Sequence, residues 1–192
     1  EFVVGTNVPC KTYYVYDPVG TWYSGYRGVL TDRYYAIGES KITTWLEFST
    51  GTESGLGEDL PAGRIRVYQQ DTDGAAVLIG ENHINHTPKG ETVEFELGAA
   101  FDLVDERTQT DFEQRGKTTL QESYEIKLRN RKETETVEIR VIEQLFRWSN
   151  WEIVTSSDAY TKRNASSIEF RVSVPPGAEK AITYTVRYSW PT

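Results

Sequence analysis

From Thr118 to Trp190 apolar and polar residues alternate in run after run. In Tyr124-Glu-Ile-Lys-Leu-Arg129 every second position is apolar, and Val137, Ile139 and Val141 repeat the pattern. Ile168, Phe170, Val172 and Val174 do so again, followed by Ile182, Tyr184, Val186, Tyr188 and Trp190. A period of two sends alternate side chains to opposite faces of a sheet. One face then suits a core and the other suits water, as in antiparallel sheets stacked into a sandwich. The spacing predicts five strands, over 118–130, 134–145, 151–156, 167–174 and 180–190. Asn130-Arg-Lys-Glu133 and Pro175-Pro-Gly-Ala178 supply turns between them. Five short strands in so small a segment fit an immunoglobulin-like β-sandwich.

The upstream pattern is less regular. Tyr13, Tyr14, Tyr16, Tyr23, Tyr26, Tyr34 and Tyr35 crowd the first part of the chain, with strands predicted over 11–16, 22–30 and 33–37. A further strand is predicted over 41–49, and the glycine-rich, acidic stretch 50–59 reads as a loop. Segments 64–70 and 75–81 flank Asp71-Thr-Asp-Gly74, a hairpin signal in which Asp73-Gly74 suits the positive φ of a tight turn. Val93, Phe95 and Leu97 alternate after a turn at 86–91, and the mostly polar 101–115 reads as a long, partly exposed strand. Because the clean alternation starts beyond Arg115-Gly-Lys117, that turn is the expected boundary. The expectation is an all-β fold of two antiparallel units, 1–116 and 117–192, with no helix.

Composition narrows the function more than the fold. A chain of 192 residues can bury a core without disulfides, and 38% apolar residues suffice for half-exposed strands. There is no apolar run of about 18 residues that could cross a bilayer as a helix. The sequence contains no methionine and opens with no charged-then-apolar leader, so a piece of a longer parent or a processed product is expected. A net charge of −8 opposes binding to nucleic acid or anionic membranes. The single Cys10 cannot form an internal disulfide and is expected to be a small buried residue rather than a nucleophile.

Candidate chemistry is sparse. P-loop, dinucleotide-binding and Gly-x-Ser-x-Gly patterns are absent, so neither a cofactor nor a nucleophilic triad is expected. His83 and His86, with Glu81 nearby, are weak candidates for metal ligands. Their spacing in a strand points them to opposite faces, and a third ligand is missing. Asp71-Thr-Asp-Gly74 begins like a calcium loop but lacks the later ligands, which leaves the hairpin reading. Asp102, Asp105, Glu106, Asp111 and Glu113 could include an acid–base pair, but a solvated strand face accounts for them. The segment Phe146-Arg-Trp-Ser-Asn-Trp151, with Tyr160, is the candidate contact for a ligand or partner. Exposed aromatic rings there could stack on sugars or anchor a protein, whereas buried ones would plug the sandwich. Strand alternation places Trp151 on the face of Ile153 and predicts it buried, with Trp148 in a loop and at least partly exposed.

An ordered set of phrases carries a resemblance. They are Leu60-Pro-Ala-Gly-Arg-Ile-Arg-Val-Tyr68, Ile79-Gly-Glu81 leading into His86-Thr-Pro-Lys-Gly-Glu91, and Gly98-Ala-Ala-Phe-Asp102. Leu128-Arg-Asn130, Trp151-Glu-Ile153, Ser156-Ser157, Tyr160, Val174-Pro-Pro-Gly177 and Thr183-Tyr-Thr-Val-Arg187 follow. Over roughly 41–190 the chain resembles the bacterial domain of unknown function numbered 4139, the C-terminal β-rich part of mucoidy-inhibitor-like proteins. The resemblance implies an all-β fold, a longer parent with a coiled-coil-prone segment, and export of many relatives to the bacterial envelope or periplasm. It implies no active site. Asn82 departs from the Asp that follows Gly-Glu in relatives. The expected role is a non-enzymatic interaction or scaffold domain whose partner is a protein or an envelope glycan. The alternative is a glycan-binding module using the aromatic loop.

Overall fold

Alternation becomes β-structure almost throughout the computed structural model, which describes residues 5–20, 28–33 and 40–192. In chain order the strands are β1 (Cys10–Tyr16), β2 (Thr43–Ser49), β3 (Gly63–Gln70), β4 (Ala76–Ile84), β5 (Thr92–Ala99) and β6 (Leu103–Gln114). They continue with β7 (Thr119–Asn130), β8 (Val137–Gln144), β9 (Trp151–Ser156), β10 (Tyr160–Asn164), β11 (Ser167–Val174) and β12 (Glu179–Ser189). Among the described residues the helical content is one short 3-10 turn, Thr52–Ser54. The strands predicted over 22–30 and 33–37 fall largely outside the described residues.

The chain forms two compact units. The first holds Glu1–Tyr14 and Thr43–Ala99, and the second holds Val15–Ile42 and Ala100–Thr192. In the first, β2 and β5 pair antiparallel from Thr43↔Ala99 to Ser49↔Thr92. Phe95 is buried there with its ring edge-on to Phe48, and Tyr13 stacks on Trp45. β3 and β4 form a hairpin, and Asp71 N–H donates to the Ala75 carbonyl at 2.8 Å across its tip. Gly74 sits there at φ +88°, a conformation that side chains with a Cβ resist. Gly80 lets β4 pass close to β5, since a Cβ at that position would lie 2.6 Å from the Leu97 side chain.

The second unit is a sandwich. One sheet runs β6-β7-β12-β9 and the other contains β10-β11-β8. Leu120, Tyr124, Ile126 and Leu128 of β7 face inward, as do Ile182, Tyr184, Val186 and Tyr188 of β12. Ile139 and Val141 of β8 and Ile168, Phe170 and Val174 of β11 are buried with them.

Three expectations need correction. The turn at Arg115–Lys117 is not a boundary but the connection of a β6–β7 hairpin. Pairing runs from Leu103↔Asn130 to Gln114↔Leu120, and Arg115 N–H donates to the Thr119 carbonyl at 2.8 Å. Leu103 and Gln109 of β6 are buried, so the strand belongs with the C-terminal sheets despite its polar sequence. Strand β10 was not foreseen, because all five of its residues are exposed and carry no alternation. It is held as an edge by pairing with β11. Cys10 is exposed rather than buried, with its thiol 3.5 Å from the Val8 carbonyl.

Candidate functional site

The segment after β8 distributes its side chains by the path of the backbone. Leu145 N–H donates to the Ser166 carbonyl at 2.7 Å, which holds the start of the segment against the β10–β11 turn. Phe146 is buried with Val19 and Leu30 and plugs the core. Trp148 is half-buried, while Ser149 and Asn150 are exposed. Trp151 is half-buried as well, which corrects the expectation of a buried ring. The reason is its strand: β9 is an edge, so no complete sheet covers that face. The indole N–H of Trp151 donates to the Ala165 carbonyl at 2.8 Å, and Lys162 Nζ lies 4.7 Å from the ring centre. Tyr160 is exposed, edge-on to Phe170. The four aromatic candidates therefore lie in separate environments and do not form one site.

A different pair flanks a cleft. Trp148, Ser149, Asn150, Ser189, Trp190 and Pro191 line an open space of about 380 Å³. Ser189 N–H donates to the Asn150 carbonyl at 3.1 Å, and Trp190 N–H to the Thr118 carbonyl at 3.0 Å. Trp190 continues the alternation of β12 but lies past the strand's last residue. The sequence pattern alone assigned it to the core face.

Beneath the surface the same alternation carries charge into the core. Glu122 shares a β7 face with Leu120 and Tyr124, and Glu143 shares a β8 face with Ile139 and Val141. Both carboxylates point into the core and are fully buried. Arg147 Nε reaches Glu122 Oε2 at 2.8 Å. The same oxygen accepts from Gln109 Nε2 and from the Tyr124 hydroxyl, each at 2.9 Å. Arg147 Nη1 donates to the carbonyls of Leu30 and Asp32 at 2.8 and 2.9 Å. Nearby, Arg107 forks onto both Glu143 oxygens at 2.8–3.2 Å, and the Tyr184 hydroxyl donates to the same carboxylate. The Arg107 guanidinium also lies 3.8 Å above the centre of the Tyr124 ring.

Burial pushes the phenols of Tyr124, Tyr184 and Tyr188 upward, and the carboxylates of Glu122 and Glu143 add to it. They remain protonated, and those of Tyr124 and Tyr184 donate to Glu122 and Glu143. Burial opposes the charge on Arg107, but Glu143 and the tyrosines beside it hold the guanidinium protonated. Arg107 pairs with Glu143 and Arg147 with Glu122, leaving Glu122 Oε1 and Arg147 Nη2 buried without a hydrogen-bond partner, and the cluster lines neither the Trp148 cleft nor the cleft beside His86.

The remaining candidates separate. His83 lies on β4 opposite Arg64, and His86 Nδ1 accepts from Ala62 N–H at 3.2 Å. Among the described residues no three His, Cys, Asp or Glu side chains converge as a metal site. An open cleft of about 500 Å³ beside His86 is lined by Glu58, Asp59, Leu60, Pro61, Thr87 and Pro88. Asp59 there accepts from the Lys89 backbone N–H at 2.8 Å. In the hairpin tip, Asp71 and Asp73 accept backbone N–H groups of Thr72 and Ala75. Asn82 donates its amide to the Glu96 carbonyl at 3.2 Å, a bond a carboxylate could not supply.

The β3–β4 hairpin carries the other unusual surface. Tyr68 and Leu78 face each other across the ladder and are 54% and 49% exposed. Val77 and Ile79 are exposed beside them. No family model, curated protein or solved structure matches the chain. No helix among the described residues is long and apolar enough to cross a membrane.

Proposed function

We propose that this chain is a non-enzymatic interaction domain of a bacterial envelope-associated protein, and that it docks a protein partner through the β3–β4 arm. The observation that carries this reading is the apolar tip of a two-stranded ribbon. Tyr68 and its cross-strand partner Leu78 stand exposed on one face of it, and Val77, next along β4, stands exposed on the other. Large apolar side chains clustered on a surface gain most by being covered, and aromatic anchors dominate protein interfaces. The non-catalytic reading is supported by the engagement of Arg107, Glu122, Glu143 and Arg147 with one another in the core. The envelope setting and the longer parent rest on the sequence resemblance.

The test is site-specific photocrosslinking in cells, with a photoreactive phenylalanine analogue at Tyr68, at Leu78, or at the exposed Ser173 as control. A discrete protein adduct is expected from the arm positions and not from Ser173. The Tyr68 adduct should disappear when Leu78→Lys is added across the ladder, while the melting temperature of the purified protein stays unchanged. Equal labelling from all three positions, or none from the arm, overturns the proposal.

A further inference from the structure

The Trp148–Trp190 cleft lies in the other unit and carries an inference independent of the arm. Four tryptophans fall among the described residues, and their indole N–H groups divide into two classes. Trp45 donates to Thr43 Oγ1 at 2.9 Å, and Trp151 donates to the Ala165 carbonyl. Those of Trp148 and Trp190 bond to nothing among the described residues, and neither is sealed from the surface. Both rings are half-buried beside one cleft, so these two N–H donors are accessible to a ligand there. The Ser149 hydroxyl is likewise unengaged. Asn150 Nδ2 donates to Ser189 Oγ at 2.8 Å, which fixes the amide and leaves its oxygen free to accept. Backbone bonds from Ser189 and Trp190 to Asn150 and Thr118 hold the lining in place.

We infer that this cleft binds a neutral saccharide. Indole rings offer flat apolar surface to the C–H face of a pyranose. The indole N–H groups, the Ser149 hydroxyl and the Asn150 amide oxygen match hydroxyls that both donate and accept. The lining contains no ionisable side chain, so nothing in it compensates a uronate or a phosphate. Its volume of about 380 Å³ lies within the usual range of small-ligand sites, about 300–1,000 Å³. A proline-rich peptide also docks on aromatic grooves. The polar groups between the rings favour the polyhydroxylated ligand.

The full chain is titrated by calorimetry and saturation-transfer NMR with cellotetraose, chitotetraose, maltotetraose, a tetragalacturonate and a proline-rich decapeptide. Saturable binding of at least one neutral tetrasaccharide is expected, with a dissociation constant on the order of millimolar or tighter. Trp148→Ala should weaken it by about tenfold or more, as loss of an aromatic anchor does. Ser149→Arg should abolish it by filling the cleft, and this exposed, unbonded position leaves the fold intact. An unchanged circular dichroism melt verifies that. Absence of binding by every neutral saccharide overturns the inference. So does binding that survives Ser149→Arg, and so does preference for the galacturonate or the peptide.

Discussion

Arg147 and Glu122 meet at 2.8 Å with neither side chain reaching solvent. An ion pair of this kind adds little net stability, because desolvating both charges offsets their attraction. Breaking it is another matter, since the surviving charge is left buried without its partner. Glu122→Leu and Arg147→Met are each expected to destabilise the protein by about 3–5 kcal/mol in urea unfolding. The double variant Glu122→Leu/Arg147→Met should lose clearly less than the sum. Additive losses would mean that the two charges are not coupled.

Trp151 tests how far an edge strand covers its own aromatic ring. A fully buried tryptophan costs about 3–5 kcal/mol on truncation to alanine. Trp151 is half-buried and contributes one hydrogen bond to Ala165, so Trp151→Ala should cost only about 1–2 kcal/mol. Chemical denaturation of the variant measures this, and a loss in the full-burial range would contradict the placement of β9.

The fragment 117–192 should not fold by itself. It lacks β6, which pairs along the length of β7 and supplies Arg107 to Glu143 and Gln109 to Glu122. Without them two carboxylates lie in an apolar core short of donors. Circular dichroism is expected to give no cooperative melt, while the full chain gives one. A cooperative transition in the fragment would place the unit boundary after β6.

Asp105 gives a pH dependence with a defined sign. Burial raises its pKa above the ordinary value of 3.8, and a hydrogen bond from Tyr16 pulls the other way without cancelling it. The folded state therefore holds this proton more tightly than the unfolded state. The resulting stabilisation is complete below about 3.8 and is lost as the pH rises through the higher folded value. Asp105→Asn removes this titration and leaves Asp17, whose carboxyl burial also raises, in place. Urea midpoints from pH 3 to 7 should therefore show the variant gaining on the wild type as pH rises. A difference independent of pH would refute the assignment.

Much of the architecture was legible because β7, β8, β11 and β12 bury one face and wet the other. Their limits in the structure lie within a few residues of the alternating runs. The same rule carried information that hydrophobicity alone hides. Glu122 and Glu143 fall on core-facing positions, so period and polarity disagree there, and such a disagreement marks a buried charge. Which cations answer them was not legible, because Arg107 and Arg147 arrive from distant points of the sequence. β6 was seen as a strand but assigned to the wrong unit, since its exposed face is strongly polar and its partners are set by register rather than composition. The aromatic segment is legible in the sequence, but the tryptophan that shares its cleft is not. Trp190 is brought beside Trp148 by the meeting of Ser189 with Asn150, a long-range pairing with no local signal.

The ladder at Ile42–Ala100 has a consequence for how this molecule can vary. Ala100 N–H donates to the Ile42 carbonyl at 2.8 Å, and the next rung pairs Thr43 with Ala99. The chain thus departs and returns at adjacent rungs, so the intervening excursion begins and ends at one place. Material between such closely spaced ends can lengthen, shorten or be exchanged at little entropic cost to what lies outside them. The β3–β4 arm lies within this excursion, so its sequence can diverge while the charged core of the other unit keeps its own, provided Trp45 keeps its stack with Tyr13.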